Sequence, residues 1–169
     1  MNQPDFALRG EHHSNGTLTA VWSTVNDLHE MEGRWDQLLQ FFETHRCNEV
    51  NWLAVAARSY AYKYRLSESQ KLIERLRPLK KTFRKEQGLK TRVRVELAED
   101  TWYRRKGLWQ KASWHCHKAY ILASKMGEHP LFFEAAFSRA IILAESGHLL
   151  EALLEFSKLS KNPKCTTRI

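Results

Sequence analysis

Four turn positions recur along the chain, and the same order of residue types follows each of them. They are Gly33, Tyr64, Gly107 and Gly147, which stand 31, 43 and 40 residues apart. Two residues later comes a bulky apolar side chain, namely Trp35, Leu66, Trp109 or Leu149. Five residues later the side chain is mostly small: Leu38, Ser69, Ala112 or Ala152. Small residues let two helices approach closely, and large ones fill the space between neighbouring helix pairs. The pattern predicts successive helical hairpins that bury one another's faces.

The composition indicates an all-α chain. Only 7 Gly and 4 Pro occur among 169 residues, and 43% of the residues are hydrophobic. Val, Ile and Thr are scattered and do not alternate with polar residues, so no strand is predicted. A chain of this size buries roughly 70% of its unfolded surface as one domain. We therefore predict a single helical-repeat domain.

The hairpins divide the chain in order. Residues 1–16 are polar and read as a flexible leader, residues 17–162 as the repeat domain, and residues 163–169 as a flexible tail. The first helix is predicted from the apolar face Leu18, Val21, Trp22, Val25 and Leu28. The second hairpin spans 50–77, the third follows Gly88, and the fourth runs from Pro130 to about Lys161. Pro78 should end a helix, because proline lacks the backbone N–H.

This order of glycine, aromatic, alanine and aromatic positions resembles the tetratricopeptide repeat (TPR), a helical hairpin of about 34 residues. The resemblance covers about residues 17–161, and the closest unit runs from Ala135 through Gly147, Ala152 and Phe156. The long spacing looks like the repeats of roughly 40 residues found in bacterial signal-sensing and transcription-regulating proteins. The resemblance implies a right-handed α-solenoid of about four antiparallel hairpins, whose first helices line a concave, peptide-binding surface.

Six of the positions carried over to that surface are predicted to contact the partner: Arg58, Tyr62, Arg94, Thr101, Arg104 and Arg105. Guanidinium groups match carboxylates bidentately, so an acidic protein or peptide suits these arginines. The resemblance thus predicts a non-enzymatic adaptor, chaperone or regulator. The lysines and asparagines by which chaperone-binding TPRs hold a terminal carboxylate are absent at the matching positions, which disfavours that particular role. The open alternative is that these arginines are only solvated.

The formal charge of +8 lies in one segment, residues 75–94, which holds nine basic residues against one acid, Glu86. Nucleic acid is one candidate partner, because Lys and Arg neutralise phosphates. The contact residues in that case would be Lys80, Lys81, Arg84, Lys85, Lys90 and Arg92. An acidic protein and plain solvation remain the other two interpretations.

Three acids conflict with the repeat. Glu96, Glu99 and Asp100 fall where the family packs apolar or small residues. A third turn that is about two residues longer would place Leu97, Ala98 and Thr101 inward, and this slipped register is the favoured expectation. The alternative is that the acids are buried with partners, because an unpaired buried carboxylate costs several kcal/mol.

No Gly-rich phosphate loop, Ser/His/Asp order or spaced carboxylate pair occurs, so no enzyme and no cofactor is predicted. His115, Cys116 and His117 are adjacent on a helix and point apart, which argues against a metal site.

The odd number of cysteines and the lack of a signal-like or spanning segment predict a cytoplasmic protein without a membrane partner. Leu149, Leu150, Leu153 and Leu154 belong either to the core or to a contact between copies of the chain.

Overall fold

The described part of the protein is helical. The computed structural model describes residues 33–45, 49–81, 88–127 and 130–161, and no strand occurs among them. The elements are α1 Trp35–His45, α2 Val50–Tyr62, α3 Leu66–Leu76, a 3-10 helix Pro78–Lys81, α4 Leu89–Arg105, α5 Trp109–Ser124, α6 Pro130–Glu145 and α7 Leu149–Ser160. This confirms the all-α prediction. The predicted leader, the first predicted helix and the predicted tail lie outside the described residues. None of the helices in these ranges is long and apolar enough to cross a membrane.

The turns within the three later helix pairs have one common structure. Tyr64, Gly107 and Gly147 have positive backbone φ angles of 57°, 71° and 90°. The residue after each turn residue donates its N–H to the carbonyl five positions back, at 2.9, 3.0 and 2.8 Å respectively. This is the Schellman ending of a helix, which requires a left-handed residue and usually selects glycine. Gly33 also has a positive φ, of 67°, and α1, α3, α5 and α7 begin two residues after the four turn positions, as the repeat predicts.

The helices that these turns join contact each other, so α2–α3, α4–α5 and α6–α7 form hairpins. The small residues five positions after the turns, Ser69, Ala112 and Ala152, are all buried. The first helices α2, α4 and α6 also contact one another in that order. One apolar cluster joins α2, α3 and α4, and a second joins α4, α5 and α6. Helix α4 therefore lies in the middle of the described structure.

Helix α4 is buried on every side over residues 93–102, none of which exposes more than 7% of its surface. The turn at Gly107 matches the other turns, so the expectation of a longer turn and a slipped register is wrong. Glu96, Glu99 and Asp100 are buried together with Leu97, Ala98 and Thr101. A helix that contacts α2, α3, α5 and α6 keeps no solvent face along this stretch. Its charged side chains must then be compensated by buried partners.

Candidate binding surface and buried charge networks

The predicted partner-binding residues converge on the ring of Tyr62, in the last turn of α2. Its hydroxyl accepts hydrogen bonds from Arg58, one turn earlier, and from Arg104, near the end of α4, at 3.5 and 3.3 Å. The guanidinium carbons of Arg58, Arg104 and Arg105 lie 5.5, 5.6 and 5.4 Å from the ring centre. Cations at such distances are attracted by the negative face of an aromatic ring. Four of the six predicted residues therefore form one cluster, which we call the Tyr62 cluster.

Helix α6 supplies carboxylates to this cluster. Glu134 accepts a charge-assisted hydrogen bond from Arg58 at 3.1 Å, and both side chains are almost completely buried. Glu145 pairs with Arg104 at 3.3 Å from the exposed end of α6. These ion pairs join residues 76 and 41 positions apart in the chain. The Tyr62 cluster thus links the first helices of three hairpins.

The other two predicted residues, Arg94 and Thr101, have different surroundings. Arg94 donates to the Asn51 side chain on α2 at 2.7 Å. The hydroxyl of Thr101 donates to the Leu97 carbonyl of its own helix at 2.9 Å. Both residues are buried, as are Arg58 and Arg104. Among the six, only Tyr62 and Arg105 are partly exposed, so these two are the ones accessible from the surface.

Two aromatic residues outside the predicted set complete the cluster. The ring of Trp35, the first residue of α1, stacks on Tyr62 with centres 4.3 Å apart. Tyr64 is 65% exposed, and its hydroxyl accepts a hydrogen bond from Arg105 at 2.8 Å. The Arg105 guanidinium also lies 4.7 Å from the Tyr64 ring centre. A signal for Tyr64 was present in the sequence, because tyrosine stands there at a turn position where the other hairpins have glycine.

Asp100 lies beneath the Tyr62 cluster and is completely buried. Ser138 donates a hydrogen bond to its Oδ2 atom, while Oδ1 has no hydrogen-bond partner among the described residues. Burial raises the pKa of Asp100 to about 6, although Arg104, Ser138 and Arg58 oppose the shift. The carboxyl group is therefore partly protonated in mildly acidic solution. Burial also raises the pKa of the nearby Cys116 thiol well above its ordinary value, so this cysteine is not an activated nucleophile.

A second charge network joins the basic segment to α4 and α5. Lys80 of the 3-10 helix donates to Glu96 at 2.9 Å and also to Glu99. Arg77 donates to Glu99 at 2.8 Å. His115 of α5 lies 2.7 Å from Glu96. Burial raises the pKa of Glu96, but the hydrogen bond from His115 and the charge of Lys80 outweigh that effect, so the pKa lies below its ordinary value. Two cations of the basic segment are thus paired with buried carboxylates of α4.

The same network contains the group in the described ranges that could hold a metal ion. One ligand atom each from Glu96, Glu99 and His115 lie within 4.8 Å of one another. Carboxylate and imidazole are suitable ligands for several divalent cations. Here, however, the Lys80 ammonium bridges both carboxylates and balances their charge together with Arg77. The geometry is that of an ion-pair network. His117 is exposed and His115 buried, so the His-Cys-His triplet does not converge on one point.

The remaining candidates of the basic segment are only partly described. Lys90 and Arg92 lie in the first turn of α4 and are half-buried. The side chain of Lys81, and Arg84 and Lys85 altogether, lie outside the described residues. The prediction that this segment contacts nucleic acid or an acidic partner therefore stays a prediction. Comparison of the chain with protein-family models, with curated proteins and with solved structures finds no match.

Proposed function

We propose that the chain is a non-enzymatic, TPR-like α-solenoid that binds a protein or peptide at the exposed carboxyl-terminal ends of α2 and α4. The repeated Schellman turns and the contacts of α2 with α4 and of α4 with α6 support this arrangement. In a solenoid each repeat packs on its neighbours, and the stacked units present an extended concave surface. A cytoplasmic adaptor or regulator is the biological role that fits such a surface.

The observation that carries the proposal is the exposed edge of the Tyr62 cluster. Arg105, Tyr62 and Tyr64 are accessible there, and two aromatic rings flank one guanidinium. Tyrosine and arginine are the residues most enriched at binding hot spots, because they combine apolar area with hydrogen bonding. The preferred ligand is a peptide with a carboxylate for Arg105 and an apolar or aromatic side chain for the tyrosines.

Buried arginines and the carboxylates that pair with them hold this edge in place. Arg58 and Arg104 fix the Tyr62 hydroxyl, and Glu134 and Glu145 of α6 hold those two arginines. A binding group whose rotamer is already locked loses less conformational entropy when the ligand arrives. Arg58 and Arg104 therefore act as positioning residues for Tyr62.

Selection from a displayed library of random peptides tests the proposal, followed by fluorescence anisotropy with the selected sequence. We expect acidic peptides containing an aromatic residue. Arg105→Glu should weaken their binding by about ten-fold or more, because a guanidinium–carboxylate contact becomes a repulsion. Lys125→Glu is the matched control: it makes the same change of charge at an exposed residue at the end of α5. Equal effects of the two substitutions, or no selected peptide at all, would refute the proposal.

Nucleic acid remains the alternative partner, through Lys81, Arg84, Lys85, Lys90 and Arg92. Lys80 and Arg77 are already paired with Glu96 and Glu99, which weakens this alternative. A mobility-shift assay at low salt with single-stranded and duplex probes decides the question. Phosphate-driven binding must fall steeply with salt and must be lost when Arg84 and Lys85 are both replaced by glutamate.

A further inference from the structure

Four rings of the α4–α5 hairpin contact one another in a row. Tyr103 packs edge-to-face against Trp102, with ring centres 4.8 Å apart, and stacks on His115 at 5.2 Å. His115 in turn meets Trp114 edge-to-face at 4.7 Å. We call this row, which consists of Trp102, Tyr103, His115 and Trp114, the ring ladder. It ends at Trp114, whose side chain is 55% exposed.

Three rings of the ladder have a lysine ammonium group over one face. The pairs, with the distance from Nζ to the ring centre, are Lys106 with Trp102 at 4.5 Å, Lys111 with Tyr103 at 5.5 Å and Lys118 with Trp114 at 3.3 Å. A ring attracts an ammonium group but does not neutralise its charge. Among the described residues, none of these three lysines pairs with a carboxylate. Their positive charges therefore remain available to an anion.

The composition of α5 differs from that of the other helices that begin after a turn position. Helix α5 contains two lysines and no acid, whereas α1, α3 and α7 each contain two acids. Trp114 stands seven positions after its turn residue, where those three helices have Gln40, Lys71 and Leu154. All three of these residues are exposed, so repeat packing does not require a tryptophan there. The cationic and aromatic surface of α5 is thus specific to the third hairpin.

The spacing of this surface matches the repeat of a nucleic-acid strand. Lys111, Trp114 and Lys118 stand at i, i+3 and i+7 and lie on one face of α5. The helical rise places the two lysines about 10 Å apart along the axis, with the indole between them. Every nucleotide carries a phosphate and a base, and single-strand sites combine basic side chains with aromatic rings on which bases stack. A duplex hides its base faces, so the exposed indole favours an unpaired strand.

We propose that the ring ladder binds single-stranded nucleic acid, with phosphates on Lys111 and Lys118 and a base stacked on Trp114. DNA and RNA share phosphates and base faces, so both should bind. The proposed peptide site uses Tyr62 and Arg105, which are not part of the ladder. The two proposals therefore succeed or fail separately.

Fluorescence anisotropy of the full chain tests the phosphate contacts. The probes are labelled single strands of about 12 nucleotides, one of DNA and one of RNA, and the salt concentration is about 50 mM. Lys111→Glu/Lys118→Glu should weaken binding of both strands by about ten-fold or more and should flatten the salt dependence. Lys71→Glu/Lys161→Glu is the matched control, because it makes the same change of net charge at exposed lysines of α3 and at the end of α7. No binding by the wild type, or equal loss in both variants, would overturn the proposal.

Substitutions of Trp114 test the stacking contact without a change of charge. Trp114→Ala should weaken binding of the single strands by about ten-fold, whereas Trp114→Phe should keep most of the affinity because it keeps a ring. Leu154→Ala, at the equivalent position of α7, should bind like the wild type. Circular dichroism checks that each variant keeps its helix content. Wild-type affinity in Trp114→Ala would contradict the stacking contact.

Two competing outcomes are separated in the same assay. Polyglutamate of the same charge should compete more weakly than an unlabelled single strand, since it offers no bases to Trp114. Equal competition would make the surface a site for acidic protein and overturn the proposal. Loss of binding in Arg84→Glu/Lys85→Glu, with wild-type affinity in Lys111→Glu/Lys118→Glu, would assign nucleic acid to the basic segment and would also overturn it.

Discussion

Asp100→Asn offers the most direct test of the buried charge networks. Asp100 is completely buried, and burial raises its pKa from 3.8 to about 6. One pKa unit corresponds to about 1.4 kcal/mol, so the ionised carboxylate costs the folded state about 3 kcal/mol relative to the unfolded chain. Asparagine has the same shape and can still accept the hydrogen bond from Ser138, but it does not ionise.

The sign of the pH effect follows from the raised pKa. Below the unfolded value both states are protonated, and the penalty is absent. Between about pH 4 and pH 6 the unfolded state loses its proton first, so the free energy of unfolding falls as the pH rises. Above the folded pKa the full penalty is present. Glu96, whose pKa is lowered, acts in the opposite direction and loses its stabilising contribution as the pH falls. Comparing the variant with the wild type at each pH separates the two effects.

Urea unfolding followed by circular dichroism measures the difference in free energy of unfolding between Asp100→Asn and the wild type. The comparison requires that the slope of this free energy against urea concentration is the same for both proteins. The free energy of unfolding of Asp100→Asn minus that of the wild type should rise by about 2 kcal/mol from pH 4 to pH 7. A pH-independent cost of placing the new amide beside Arg104 would shift the stability difference equally at every pH and leave its rise with pH unchanged. Ser138→Ala is the second variant, and it removes a hydrogen bond that lowers the pKa of Asp100. The pKa of Asp100 should therefore rise further, and the cost of ionising it in the folded state should keep growing up to a higher pH. Parallel pH curves for wild type and Asp100→Asn would refute the reasoning.

Three further predictions concern stability and are checked by the same unfolding measurement. Gly107→Ala should cost about 1 kcal/mol through its positive φ alone, since an added Cβ meets nothing within 4 Å, and Gly107→Asn should cost less. Glu134→Ala should cost about 3–5 kcal/mol, because it leaves the Arg58 charge buried without this carboxylate. Glu68→Ala, which breaks an exposed pair with Arg65, should change stability far less. Lys80→Ala should cost about 2–4 kcal/mol, because Glu96 and Glu99 lose a shared cation. Equal costs for the buried and exposed pairs would contradict the assignment of the networks.

The proposed binding surface was predictable only as a set of positions. The repeat alignment selected Arg58, Tyr62, Arg104 and Arg105, and the structure brings them together. The repeat alignment could not show that Arg58 and Arg104 are buried. Their carboxylate partners come from α6, tens of residues away in the chain. The contribution of Trp35 was equally hidden, since its stacking on Tyr62 joins α1 to the end of α2.

The sequence by itself determined the helices, their turns and the small residues between paired helices. These features are local. A turn position with a left-handed backbone conformation favours glycine, and the spacing of apolar residues defines which face of a helix is buried. Only the tertiary structure decided the environment of α4. Enclosure by four other helices buries Glu96, Glu99 and Asp100. The cations that offset two of these acids are Arg77 and Lys80, in the segment between α3 and α4. Tertiary structure also decided that the α7 leucines face outward, because burial depends on which neighbours a helix meets.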